Sequence, residues 1–214
     1  TKGIGLQIAK KLEDYGCIIA INARNKSSLE NAYKFFKKPV HGILGDMSSE
    51  IEAHNAIEEF INKFYKMDIL ICNIGSGRSA LTINEKKIDW EKSFMQNLFS
   101  ATNPILESKK YLSKSSGVIT CISSICGEKM IENAPLTYSS FKSALNRYVI
   151  NSSFYLAKEN IRINAVSPGN VFFEGSIWDK KLKENRNVIE EMLENKIPLK
   201  KFVTPEEVSE MVAF

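Results

Sequence analysis

The 214-residue chain has no long hydrophobic run, only four cysteines and little excess of either charge, and each shortage removes a class of protein. No apolar stretch approaches the roughly 20 residues needed to cross a bilayer, and no signal-like segment opens the chain, so a soluble, cytoplasmic protein with no membrane partner is expected. Cys17, Cys72, Cys121 and Cys126 lack paired metal-ligand spacing, and three of them lie in apolar strand-like runs. They read as reduced core thiols, which leaves no metal site, with a Cys121–Cys126 disulfide as the minor alternative. The 29 basic and 25 acidic residues are spread along the chain, a net charge of +4 without the clustered basic run of a nucleic-acid surface. Internal repeats, low-complexity tracts and linkers are also missing. With 43% hydrophobic residues, a chain of this length is expected to bury one domain core.

What is present is alternation. Short apolar runs at 17–22, 40–44, 68–73, 117–122 and 161–166 read as strands buried on both faces. Between them, 4–15, 26–37, 49–65, 86–112 and 137–158 carry apolar residues at helical spacing, as in Ile51, Ile57, Phe60, Ile61 and Phe64. Strand and helix in this order predict the α/β class, a doubly wound parallel sheet with right-handed crossovers. Thr204-Pro-Glu-Glu207 predicts a capping box with proline in the first turn of a last helix. Residues 1–5 read as the second half of a glycine loop opening the first helix, and such a loop works when a strand delivers it to the top of a sheet. The expectation is therefore a fragment at both ends, with a strand before Thr1 and a last helix that stops after Phe214 with its apolar face unfinished.

Chemistry is concentrated in Thr137-Tyr-Ser-Ser-Phe-Lys142, where a phenol and an ammonium four residues apart share one helix face. An ammonium held against Tyr138 would favour the phenolate and lower a pKa that starts at about 10. Tyr33 also has a lysine four residues on, Lys37, so the spacing alone does not single out a site. The upstream context does. Tyr138 follows the run Gly117–Ile122 that ends in Ser123-Ser124, which would present a hydroxyl to the same pocket.

Ser124, Tyr138 and Lys142, together with Gly3-Ile4-Gly5, resemble the classical short-chain dehydrogenase/reductase family, whose members include 3-oxoacyl-(acyl-carrier-protein) reductases. The resemblance implies a Rossmann-type single domain and a catalytic set of Asn97, Ser124, Tyr138 and Lys142. Ser124-Ile-Cys-Gly127 matches the family's S-x-x-G, which selects Ser124 over Ser123; pleat alternation puts the two on opposite faces. The resemblance also implies cofactor contacts from Lys2, Gly3, Ile4 and Gly5, from Arg24, and from Asp46 and Met47 after the third strand. Asn73 and Gly75 stand where the family has N-N-A-G, although Ile74 replaces the alanine. Pro168, Gly169 and Val171 match P-G-x-V, and Tyr138 and Lys142 would touch the cofactor as well. The family's following threonine is replaced by Phe173, which puts one cofactor hydrogen bond in doubt.

Each assignment has a plainer counterpart. Asp46 could cap a helix ahead of Ser48-Ser49, Asn73 could tie its strand to a neighbour, and Asn97 could sit on a helix surface. Phe172, Phe173, Ile177 and Trp178 could wall a substrate pocket or pack an ordinary helix; Lys180, Lys181 and Lys183 could meet an anionic substrate or water. No acid follows the second strand, whereas Arg24 and Lys2 would suit the extra phosphate of NADP(H) over NAD(H) unless they are solvated surface charges.

The expected function is a carbonyl reductase or alcohol dehydrogenase acting on a ketone, with a 3-oxoacyl thioester or a sugar as the candidate substrates. A dinucleotide-binding regulatory protein on the same fold is the alternative; epimerases and dehydratases of this kind generally need a larger substrate domain. Family practice implies a homodimer or homotetramer built on 86–112 and 137–158.

Overall fold

Among the described residues five short strands form in the apolar runs, all parallel, because the helix between each pair carries the chain back to the same end of the sheet. The computed structural model describes residues 1–78 and 83–214. Its elements are α1 (Gly3–Asp14), β1 (Ala20–Ala23), α2 (Lys26–Tyr33), β2 (His41–Leu44), α3 (Glu50–Phe64) and β3 (Ile69–Cys72). Then come α4 (Lys87–Phe94), a π-turn (Met95–Phe99), α5 (Ser100–Ser115), β4 (Val118–Ile122), a 3-10 turn (Ile125–Gly127) and α6 (Leu136–Ala157). The last elements are β5 (Arg162–Val166), α7 (Ile177–Glu184), α8 (Arg186–Lys196) and α9 (Pro205–Ala213). This is the doubly wound α/β arrangement that the alternation predicts.

The strands pair in two sheets, β1 with β2 and β3-β4-β5, with no strand among the described residues bridging them. β1 and β3 face each other across a cleft of about 630 Å³ lined by Ile8, Ile21, Ile43, Leu70 and Pro104. The break corrects the expectation of strands buried on both faces. Only β4, flanked on both sides, is buried almost throughout; Ile69 on β3 is 36% exposed, and Arg162 and Asn164 on β5 face outward. The main core lies over the three-stranded sheet, where Ile105 and Leu112 of α5 and Leu145 and Val149 of α6 enclose Ile119, Cys121 and Ile163. Cys17, Cys72, Cys121 and Cys126 are all free thiols.

Local signals explain most boundaries. Ser49 caps α3 by accepting from the Glu52 amide at 3.4 Å. Thr204 and Glu207 close the predicted capping box on α9, which lies along α1 and pairs Glu206 with Gln7 and Glu210 with Lys11. α2 stops at Tyr33, four residues short of the expected end, so Lys37 leaves the Tyr33 face and pairs with Asp14 at 2.6 Å. The long helical segment expected over 86–112 forms as one unbroken stretch, α4 and α5 joined through the π-turn, an irregularity that recurs at functional sites. Among the described residues no helix is long and apolar enough to cross a membrane, and no cluster of three His, Cys, Asp or Glu could hold a metal ion.

Candidate functional site

Parallel strands deliver their following loops to one end of the sheet, and the sequence-predicted residues lie in those loops: Arg24 after β1, Asp46 after β2, Asn73 and Gly75 after β3, Ser124 after β4, Pro168 to Val171 after β5. Gly127 fixes the centre. A Cβ on it would lie 2.6 Å from the Lys142 carbonyl carbon and 2.8 Å from the Ser143 nitrogen, so only glycine lets the 3-10 turn touch the backbone of α6. That contact brings Ser124 to Tyr138. Ser124 is buried and Tyr138 half-buried, the serine hydroxyl lies close enough to the phenol to favour its ionised form, and that hydroxyl accepts from the Cys126 amide at 3.2 Å. Ser123, the neighbouring candidate, donates instead to the Lys142 carbonyl at 3.4 Å, away from the phenol.

Lys142 is 2% exposed, which is rare for a lysine, and its Nζ donates to the Ile122 carbonyl at 2.8 Å. Burial pulls its pKa down to about 8, because a desolvated ammonium is costly. The ammonium lies 5.8 Å from the centre of the Tyr138 ring. Here one expectation is corrected. The Tyr138 pKa is raised, not lowered: burial dominates, and the hydrogen bond from Ser124 only partly offsets it. The phenol therefore keeps its proton at neutral pH.

Asn97 is fully buried within the π-turn, not on a helix surface. Its amide donates to the Ser76 and Ser93 carbonyls at 3.1 and 3.0 Å, and its oxygen accepts from the Ser76 amide at 2.8 Å. These bonds pin the loop after β3. Gly75 lies in that loop where a Cβ would sit 3.0 Å from the Lys142 Nζ and 3.1 Å from the Asn97 oxygen, so the loop, the lysine and the asparagine meet at one point. Asn73 braces α1, its amide nitrogen 2.5 Å from where a Gly5 Cβ would lie.

At α1, Lys2 is exposed at the cap position without a side-chain cap bond, and Gly3 has φ +52. Helix N-terminal amides turned towards a glycine corner suit a phosphate, as does the exposed Arg24 guanidinium, which pairs with Asp46 at 3.8 Å. Asp46 does not cap α3, since Ser49 does; its carboxylate accepts from the Ser48 amide and hydroxyl at 2.9 and 2.7 Å. The Met47 side chain is buried in the β2–α3 core and its carbonyl accepts from Asn103. Pro168 accepts from the Ile125 amide at 3.1 Å, and buried Val171 pairs with Val203, with Gly169 between them. Phe172, Phe202 and Trp178 stack with ring centres 5.6 and 5.4 Å apart, forming an aromatic cluster beyond β5. Of the three lysines on α7, Lys183 pairs with Asp179 at 2.9 Å and Lys181 lies over Trp178.

Sequence reasoning missed the Ile122 carbonyl, since any residue could supply it, and missed Ser76 and Ser93 as partners of Asn97. Ser93 was within reach, standing four residues before Asn97 on one helix face.

Comparison with known proteins bears on the whole chain. The family described as Enoyl-(Acyl carrier protein) reductase matches residues 1–214. A 3-oxoacyl-(acyl-carrier-protein) reductase of Aquifex aeolicus is 32% identical over 222 residues, covering 100% of this chain and 86% of that protein. A tropinone reductase homologue of Arabidopsis thaliana is 30% identical, covering 100% and 81%. Among solved structures, a short-chain dehydrogenase/reductase of unknown function from Caenorhabditis elegans, crystallised with cofactor, superposes with a TM-score of 0.89 at 25% identity, covering 99% of this chain and 83% of that one.

Proposed function

The chain belongs to the classical short-chain dehydrogenase/reductase family, NAD(P)-dependent oxidoreductases, and from that membership we propose that it is an NADPH-dependent carbonyl reductase. The observation that carries the proposal is the convergence of three groups, with the Ser124 hydroxyl beside the Tyr138 phenol, where it acts on the phenol's ionisation, and the Lys142 ammonium beside the ring.

A bound nicotinamide dinucleotide would supply the hydride that reduces the carbonyl carbon. The protein's share is the proton and the charge. Ser124 donates a hydrogen bond to the substrate oxygen and polarises it, so charge develops against a fixed dipole in a site largely closed to water. Tyr138 donates its proton to that oxygen as alkoxide character grows. A phenol with a raised pKa suits this direction, since it holds its proton until a stronger base forms. Lys142 supplies a positive charge that favours the phenolate left behind, and Asn97 keeps the Gly75–Ser76 loop over that lysine. Alcohol oxidation would use the same groups in reverse.

Gly3, Ile4 and Gly5 would hold the pyrophosphate on the α1 amides, and Arg24 and Lys2 favour the 2′-phosphate of NADP(H). An exposed ion pair such as Arg24–Asp46 is worth little, so Arg24 gives it up readily to a phosphate. The ketone is proposed to be the 3-oxo group of an acyl thioester, in keeping with the Aquifex relative and with the aromatic cluster of Phe172, Trp178 and Phe202. A homodimer or homotetramer through α5 and α6 is proposed as well, supported by Ile150, Phe154 and Tyr155, which leave α6 with an exposed apolar stripe.

The test is NADPH oxidation against a panel of acyl-thioester, sugar and simple ketones, with Tyr138→Phe alongside. Turnover on one class that the variant loses supports the reductase. Tight NADPH binding with no turnover on any ketone would move the chain to a non-catalytic dinucleotide-binding role.

A further inference from the structure

Phe173 stands where the family carries a hydroxyl, and its ring lies on the glycine turn of α1. A Cβ on Gly3 would be 2.4 Å from the ring's Cζ and 2.7 Å from both Cε atoms, so the tip of the ring rests on the Gly3 Cα. A hydrocarbon edge thus sits against the Gly3 turn from which the α1 N-terminal amides would meet an anion, and a ring satisfies no N–H group. Its backbone is tied to the start of α7. The Phe173 amide donates to the Ser176 hydroxyl at 3.4 Å, and the Ser176 amide donates back to the Phe173 carbonyl at 2.9 Å. Ser176 caps α7 through the Asp179 amide at 3.1 Å, while the Asp179 carboxylate accepts from the Gly175 amide at 2.8 Å. The residue is fixed in place by its main chain, and only its ring is free to leave.

We propose that Phe173 is a positioning residue that competes with the dinucleotide's phosphate for the glycine turn of α1 and thereby sets cofactor affinity. The inference rests on the dinucleotide reading above. Because the ring must swing off Gly3 before a phosphate can reach the α1 amides, the observed affinity is the intrinsic one reduced by the fraction of molecules with the ring displaced. The competition is confined to phosphate on the α1 amides at Gly3, so a ligand carrying only the 2′-phosphate, held by the Arg24 and Lys2 side chains and not by those amides, escapes it.

The experiment is a titration of the protein and of Phe173→Ala and Phe173→Thr with NADPH, followed by nicotinamide fluorescence, with adenosine 2′-monophosphate as the control ligand and a thermal melt of each variant. Phe173→Leu, which keeps apolar bulk, provides a folded comparison should the smaller side chains lower the melt. The expected result is NADPH binding roughly three- to tenfold tighter in the Ala and Thr variants, equivalent to about 0.7–1.4 kcal/mol. Leu should fall between, and adenosine 2′-monophosphate should bind all four proteins alike. Unchanged or weaker NADPH binding in folded variants overturns the inference and leaves the dinucleotide reading standing, because the ring then packs on the bound cofactor. An equal gain for the control ligand also overturns it. If none of the four proteins binds NADPH or NADH, the dinucleotide reading fails and takes the inference with it.

Discussion

The Lys142 ammonium donates to the Ile122 carbonyl at 2.8 Å, and that bond holds it beside the Tyr138 ring rather than at the phenolic oxygen. A charge tethered in this way cannot follow the phenol, so the two groups act as fixed partners. Each is perturbed mainly by burial, in opposite directions.

The lysine leaves a signature in stability. Its folded pKa of about 8 lies below the ordinary 10.5, so between those values the unfolded chain binds more protons and stability rises with pH. Below pH 8 both states are protonated and the full cost of burying the charge is felt. Wild type should therefore gain roughly 2 kcal/mol relative to Lys142→Met between pH 7 and pH 10 in paired urea unfolding curves. Tyr148, raised to about 12 by burial, acts oppositely and only above pH 10, and it is common to both proteins. A flat difference across that window would mean the lysine is solvated.

Gly127→Ala tests the backbone contact that brings serine to tyrosine. The new methyl would meet main-chain atoms of Lys142 and Ser143, which no rotamer change can clear. A stability loss of about 1–3 kcal/mol is expected from overpacking. Turnover should fall at least tenfold even at temperatures where the variant is fully folded. Unaltered turnover would show that the Ser124–Tyr138 distance tolerates a shift of α6.

Asn97→Ala strips partners from the Ser76 amide and carbonyl and from Ser93. Unpaired buried groups cost about 1–3 kcal/mol each, so a drop of roughly 2–4 kcal/mol is expected in denaturant unfolding after partial relaxation. Asn97→Asp should be worse than alanine, since a carboxylate would face two carbonyls it cannot accept from. If Asp is the milder change, the amide donors are not what holds the loop.

Arg24→Ala tests cofactor choice. Charge-assisted hydrogen bonds to a phosphate are worth about 1.5–3 kcal/mol, so NADPH should bind roughly 10–100-fold more weakly while NADH binding stays the same. Parallel losses for both cofactors would assign Arg24 a structural role through Asp46.

How much of this was legible in the sequence depends on whether a feature is local. The strands, the α9 capping box and the Tyr138–Lys142 face follow from spacing within a few residues, and all are found where the periodicity put them. A gap in the sheet was legible from the glycine loop that lacks its strand, but the exposure of β3 beside the gap was not, since its burial depends on what lies next to it and an apolar run looks the same at an edge as in the middle. Reading Tyr138 as acidified failed for a related reason: four-residue spacing shows that an ammonium is near but not that it is bonded to a carbonyl, nor how much water is excluded. The end of α2 at Tyr33 shows the same limit from the other side, because Lys37 has the right spacing and no helix to put it on.

The Val171–Val203 bridge carries a last consequence. Its two flanking bonds, from the Phe172 amide to the Val203 carbonyl and from the Val203 amide to the Asn170 carbonyl, close residues 173–202 into a loop with one narrow neck. Lengthening a loop whose ends are already pinned costs only a slowly growing entropy, about 0.6 kcal/mol per doubling. Insertions between α7 and α8 should thus cost little, while the strands that carry Ser124 and the helix that carries Tyr138 and Lys142 stay where they are.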